Sequence, residues 1–338
     1  MTRTLQIRRA GPAVTVQDMG RPGYLASGLS QGGAADPLAL HEGAALLNQP
    51  ASSAAIEMAG YGGEFEASED IRIALTGAPM NATIDGDPVA WNASHLLPKG
   101  AVLSIGGTRT GNYGYLHLGG GVATPPVLGS RSAHLTAGIG APLQPGETLP
   151  LDRDQRADLV NRQLLTDPRF DGGKVRVIAS LQTALFDPSE IARFQNTTFQ
   201  RDTRGSRMGV PVVPDGAGFQ SATGLSILSE TIVPGDIQIT GDGTPFVLLA
   251  ECQTTGGYPR IGTVIPADLP RVAQCPANAA LRFAFISLDE AVAVQKRELQ
   301  RQNQLHQTVE RLIRDPRDMA DLLSYQLISG VTAGADPE

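Results

Sequence analysis

The 338-residue sequence has two cysteines, Cys252 and Cys275, far apart and without metal-ligand spacing. That excludes a disulfide framework and a cysteine-based zinc site. Lysine is nearly absent: it stands only at Lys99, Lys174 and Lys296, so arginine supplies almost all the positive charge. Net charge is −7 and no basic block stands out, which argues against a nucleic-acid partner. No apolar run approaches the length of a membrane span, and the opening MTRTLQIRRAG has no apolar core of a signal peptide. A cytoplasmic location is the expectation. No Walker A sequence and no G-x-G-x-x-G occurs. The five histidines, His41, His95, His117, His134 and His306, show no H-x-x-x-H spacing, and none is expected to bind a metal.

Glycine (39) and proline (24) are abundant, which implies many turns and short strands. β-like runs recur at Ile71–Leu75, Ala101–Ile105, Tyr113–Leu118, Val175–Ile178, Ile237–Thr240, Phe246–Leu249 and Leu281–Ile286. Helical patterns are few. One is Pro37–Asn48, with Asp36 as N-cap and Pro37 at the first helical position. A second is Asp154–Leu165, and the third is the tail, from Asp289 to Ile313 and again from Arg317 to Ile328, closed by Gly330. Apolar Leu288, Val292, Leu299, Leu305, Val309, Leu312 and Leu323 recur there at near-helical spacing, so the tail is expected to lie on a surface of this chain or of another subunit. Few helices among many strands point to an antiparallel barrel or sandwich. The two halves run loosely in parallel, and the charged stretch between Pro150 and Lys174 is the expected boundary.

Gly28-Leu-Ser30-Gln-Gly32 matches the G-x-S-x-G nucleophile elbow. The elbow needs a strand before it, a helix at once after it and a parallel sheet around it. Here Gly33-Ala-Ala-Asp36 delays the helix and no βαβ alternation follows, so a serine hydrolase is not expected. Two clusters carry more. Gln17-Asp18-Met-Gly-Arg21-Pro-Gly-Tyr24 brings a carboxylate, a guanidinium and flexible backbone together, and Arg holds carboxylate or phosphate in a two-pronged grip. Gln253-Thr254-Thr255-Gly256-Gly257-Tyr258 follows an apolar strand and offers an amide, two hydroxyls and backbone that approaches a ligand closely. Either cluster also reads as an ordinary turn.

An ordered series of motifs is more specific. Val16-Gln-Asp-Met-Gly-Arg-Pro-Gly-Tyr24 is followed by Gly119-Gly-Gly121, Val127-Leu-Gly-Ser-Arg-Ser132 and Ser206-Arg-Met-Gly209. Then come Ser229-Glu230, Val233-Pro-Gly-Asp-Ile-Gln238, Gln253-Thr-Thr-Gly-Gly-Tyr258, Ala267-Asp-Leu-Pro270 and Ala273-Gln274. In order and spacing, over about residues 5–286, this resembles the KipA family, also described as the C-subunit of 5-oxoprolinase or as allophanate hydrolase subunit 2. The sequence departs from the family at Gly33-Ala-Ala-Asp36, at Glu251 where Asp is common, and at Pro276-Ala-Asn278.

The resemblance implies a mainly β chain of two cyclophilin-like β-barrel domains with a C-terminal helical extension. The corresponding division is 1–150 for the first barrel, 151–173 for a linker, 174–286 for the second barrel and 287–330 for a helical tail. It implies a KipI-like smaller subunit as partner, a third, lactam-opening subunit, ATP bound with the partner, and a hydrolase acting on cyclic amides such as 5-oxoproline. A homo-oligomer is also open. Similar sequence forms the carboxyltransferase domain of urea amidolyase, where biotin is the cofactor, and a non-catalytic regulatory subunit is a third reading. The lactam and the ureido ring of biotin are both cyclic amides, and activating either stabilises negative charge on an amide oxygen. On that reading Arg207 and Arg21 supply positive charge, Asp18 orients Arg21 or acts as base, Tyr258 caps the ring, and Gln253, Thr254, Thr255, Gly256 and Gly257 bind the substrate.

Overall fold

The computed structural model describes residues 3–165, 167–222, 224 and 227–313. The part of the expected tail beyond Ile313, including Leu323 and Gly330, lies outside the described residues.

The first half sandwiches its core between two sheets. In Thr4–Ala10, Leu5 and Ile7 are fully buried while Gln6 and Arg8 face out, the alternation that a one-sided strand requires. That strand sits in a six-stranded antiparallel sheet, in the order Thr148–Pro150, Thr4–Ala10, Gly63–Ala67, Val102–Thr108, Met80–Ile84 and Asp87–Pro88. Facing it is a seven-stranded sheet, in the order Val14–Gln17, Ala55–Ala59, Tyr113–Leu118, Ile71–Gly77, Ala93–Leu97, Arg162–Gln163 and Glu310–Arg311. Leu5, Ile7, Phe65 and Leu103 of one sheet meet Ile56, Met58, Ile73 and Leu116 of the other.

The second half is a closed seven-stranded barrel. Its strands run Gly173–Ile178, Arg260–Val264, Asp236–Ile239, Pro245–Leu248, Gly209–Pro214, Phe199–Arg201 and Ala280–Phe285. Closure is made by the parallel pairing of Gly173–Ile178 with Ala280–Phe285. Phe194, Phe199, Phe219 and Phe283 stack within it at centroid distances of 5.0 to 5.8 Å. The barrel core runs on into the first half through Ala34, Ala39, Leu40, Tyr113 and Tyr115. All seven expected β runs are strands.

Helix α1 (Pro37–Leu47) forms as its sequence dictates. Asp36 caps it by accepting from the Ala39 N–H, and Asn48 ends it in a left-handed conformation. Asp36 is also a hub: its Oδ2 accepts from Arg169 Nε at 2.7 Å and from Gln274 Nε2 at 2.8 Å. The barrel adds α2 (Pro188–Asn196), which buries Phe194, and the short α3 (Leu269–Gln274). No helix among the described residues is long and apolar enough to cross a membrane.

The helix expected at Asp154–Leu165 does not form. Both Asp154 oxygens bond Arg72, at 2.7 and 2.6 Å, and Oδ1 also takes the Arg156 N–H. Asn161 adopts a left-handed conformation, and Arg162–Gln163 joins the seven-stranded sheet. Tertiary bonds therefore claim the groups that a helix would use. The tail does begin as a helix, α4 (Leu288–Gln304), whose first turn is fastened by the reciprocal Ser287–Glu290 capping box. It then turns back: Leu305 is buried with Leu38, Leu46, Leu47, Ala74 and Leu164, and Glu310–Arg311 pairs with Arg162–Gln163.

Candidate functional site

One of the places where the two halves meet is built on an arginine. Arg207 lies just before the barrel strand Gly209–Pro214, and its side chain reaches back into the first half. Its Nε donates to Glu251 Oε1 at 2.6 Å, Nη1 pairs with Glu57, and Nη2 donates to the Gly33 carbonyl. Burial alone would lower the Arg207 pKa, but the Glu57 and Glu251 carboxylates outweigh it and hold it above the ordinary value. Glu57 is itself filled, accepting from Tyr115 Oη at 2.6 Å and from the Ala35 N–H at 2.8 Å. Glu251 Oε2 accepts from the Thr136 N–H and Oγ1 at 3.1 and 3.2 Å. Burial would raise the Glu251 pKa, yet Arg207 more than offsets this and keeps it below the usual range.

Beside this knot lies a cavity of about 370 Å³. The first half contributes Gly28, Leu29, Ser30, His134, Thr136 and Ala137, and the barrel contributes Cys252, Gln253, Thr254 and Thr255. The barrel side is held by backbone: Thr255–Gly256 pairs with Glu230–Thr231, and the Thr254 carbonyl accepts from the Ile232 N–H at 3.1 Å. With the backbone so fixed, the Gln253, Thr254 and Thr255 side chains make no hydrogen bond among the described residues and stand at the wall with donors and acceptors to spare. Cys252 is buried, its thiol pushed up to about 12 by desolvation, so it presents no thiolate.

The structure thus brings Gln253, Thr254 and Thr255 to a shared cavity but leaves the other expected site residues off its wall. Gly256 and Gly257 lie in the continuing strand and turn, and Tyr258 is exposed. Asp18 does not orient Arg21. Its Oδ1 takes Ser130 Oγ at 2.6 Å, Ser132 Oγ at 2.5 Å and the Gly20 N–H at 2.8 Å, while Oδ2 takes the Arg131 N–H at 2.7 Å. Its work is to fold the 130–132 loop against its own turn. Arg21 is fully buried; Nη2 donates to the Ser132 carbonyl, whereas Nη1 has no partner among the described residues. Burial lowers its pKa, opposed by the nearby charges of Asp18 and Glu251. Arg207 ties carboxylates across the halves instead of facing the cavity. Ser30, His134 and Thr136 were not anticipated. Ser30 stood in a motif that fits no hydrolase, and His134 had no informative spacing; only the fold brings residues 104 positions apart to 2.9 Å.

A mainly β chain with a closed barrel and a polar cavity at the junction of its halves defines a class, and comparison with known proteins gives the family. The sequence model described as "Carboxyltransferase domain, subdomain A and B" matches residues 27–285, and the chain belongs to that family. It is 34% identical over 296 residues to the C-subunit of 5-oxoprolinase from Escherichia coli, covering 85% of this chain and 93% of that one. It is 24% identical over 309 residues to urea amidolyase of Saccharomyces cerevisiae, covering 85% of this chain but 17% of the much longer relative. The fold also matches the solved urea carboxylase of Kluyveromyces lactis, with a TM-score of 0.78 at 21% identity, over 94% of this chain and 31% of that one.

Proposed function

We propose that the chain is a subunit of an ATP-dependent 5-oxoprolinase-type amidolyase, working in the cytoplasm with a KipI-like smaller subunit. It holds a cyclic amide, 5-oxoproline, in the cavity between its halves. The observation that carries this reading is the unpartnered trio Gln253, Thr254 and Thr255 facing Ser30 across that cavity. A lactam carbonyl accepts hydrogen bonds and its N–H donates one, and an amide with two hydroxyls answers both. Fixed donors at an oxygen that gains negative charge are the most effective form of such help. The similarity to the 5-oxoprolinase C-subunit over most of both chains supports the same substrate class.

Among the described residues no arginine or lysine lines this cavity, so its donor set does not fit a triphosphate. ATP is proposed to bind with the partner subunit, outside this cavity. What this chain does is bind the ring and aim its carbonyl.

A second reading, a carboxyltransferase component of a biotin-dependent urea carboxylase, is favoured by the description of the family and by the fungal relatives. The ureido ring of biotin also presents a carbonyl beside N–H, with two N–H groups where the lactam has one. A test separates the two: the chain reconstituted with its smaller subunit is assayed for ATP turnover with 5-oxoproline, with urea, and for decarboxylation of carboxybiotin. Stimulation by 5-oxoproline alone supports the first reading; carboxybiotin turnover without a response to 5-oxoproline supports the second.

A further inference from the structure

The Gly28-Leu-Ser30-Gln-Gly32 motif has a local task. Gly28 ends the 3₁₀ turn Leu25–Ser27 in a left-handed conformation, its N–H bonded to the Leu25 carbonyl. Gly32, also left-handed, donates to the Ala250 carbonyl at 3.1 Å, and a Cβ there would stand 3.0 Å from His134 Cδ2. The two glycines let the chain lie flat between His134 and the barrel. Ser30 Oγ is thereby set 2.9 Å from His134 Nε2, at the cavity wall.

With Glu251 Oε2 only 3.9 Å from His134 Nδ1, the group resembles a Ser–His–Glu triad. The hydrogen bonds assign it differently. For His134 to take a proton from Ser30, Nε2 must be bare and Nδ1 must carry a proton directed at the carboxylate. Instead, Nδ1 accepts the Ala137 N–H at 3.2 Å, so a neutral ring holds its proton on Nε2 and donates it to Ser30 Oγ. A separation of 3.9 Å is too long for a hydrogen bond to Glu251, whose oxygens are in any case taken by Arg207 and Thr136. Burial favours the neutral imidazole, which Glu251 opposes and Arg21 and Arg207 reinforce. Ser30 Oγ therefore accepts from the ring, and its own O–H has no other partner among the described residues.

We propose that Ser30 is a hydrogen-bond donor to the amide oxygen of the substrate, polarised by a relay running from the Ala137 N–H through His134 to Ser30 Oγ. His134 is its positioning residue. The inference rests on the cavity being the cyclic-amide site. A hydroxyl that already accepts a hydrogen bond donates a stronger one, and the gain is largest when the acceptor oxygen carries charge. No covalent bond forms at Ser30; the lactam or ureido oxygen gains electron density and the serine proton remains with the serine, shared with that oxygen.

Two measurements on the full chain with its smaller subunit test this. The first is the ¹⁵N spectrum of the His134 imidazole, assigned with His134→Gln; neutral pH shows the Nε2–H tautomer. A proton on Nδ1, or a fluorophosphonate adduct on Ser30, makes the serine a nucleophile and overturns the proposal. The second is turnover of the cyclic amide. Ser30→Ala is expected to lower kcat/KM by about 100-fold, as for loss of one preorganised donor. His134→Gln, which keeps an N–H near Ser30, retains more activity than His134→Phe. Ser30→Cys keeps the volume with a weaker donor and falls between native and Ser30→Ala. Gln253→Ala and Thr254→Val serve as controls for the site. If they impair turnover and Ser30→Ala does not, the Ser30 proposal fails while the cavity reading stands; if none of the three matters, both fail.

Discussion

The guanidinium of Arg207, in the barrel, is paired with the carboxylate of Glu57, in the two-sheet half, so this buried pair joins the two halves. Glu251 and the Gly33 carbonyl complete its coordination. Removing one partner of a buried ion pair strands the others, at a cost of about 3–5 kcal/mol. Arg207→Ala is therefore expected to lose that much unfolding free energy in urea. Arg207→Lys loses part of it, because an ammonium cannot meet three acceptors with the reach of a planar fork. If Arg207 instead supplied positive charge to the substrate, as the family resemblance implies, Arg207→Lys would cripple activity and leave the fold intact. A lysine variant that unfolds like the native protein yet does not turn over would return Arg207 to the substrate.

Much of the fold was legible because it follows from alternation. Leu5 and Ile7, or Val175 and Val177, declare a buried face by themselves, and the Asp36–Pro37 start of α1 is a local cap. The Asp154–Leu165 stretch was not legible because Arg72, 82 positions away, claims Asp154. The site divides the same way. Gln253, Thr254 and Thr255 were found because polar residues after an apolar strand end at a surface. Asp18 and Arg21 share one turn, which suggested a pair, but Ser130, Ser132 and the loop carbonyls offered closer partners to each. Ser30 and His134 meet only through the fold.

A buried histidine sets a pH dependence. His117 lies between α1 and Thr76, its Nε2 2.7 Å from Thr76 Oγ1, and desolvation pushes its pKa down to about 3. The unfolded chain binds a proton there near the ordinary value of about 6.5. Its contribution to stability is thus complete above about pH 6.5 and is lost as pH falls toward about 3. Glu251 and Asp154, both held below the usual carboxylate range, add a loss at the acid end. The urea midpoint of the native protein should fall between about pH 7 and about pH 4, and that of His117→Gln should fall less. Parallel curves would remove His117 from the account.

The described part of the tail, up to Ile313, packs on its own chain. Leu305 is buried, whereas Leu288, Val292 and Leu299 on α4 are exposed at 66%, 44% and 49%. Leu305→Ala should cost about 2–5 kcal/mol, and Val292→Ala should stay within about 0.5 kcal/mol. Thermal melts decide it. If Leu305→Ala melts like the native chain but no longer binds the smaller subunit, the tail serves assembly instead.

The central claim is that the cavity between the halves holds the cyclic amide for an ATP-dependent partner. Glutamate release from 5-oxoproline by the reconstituted complex, with and without this chain, tests it most directly. The account predicts no release from this chain alone and none from the complex lacking it. It predicts full activity on reconstitution and a fall of about 100-fold or more when Gln253→Ala and Thr254→Val are combined. Unchanged release with the double variant, or ring opening by the complex without this chain, would contradict it.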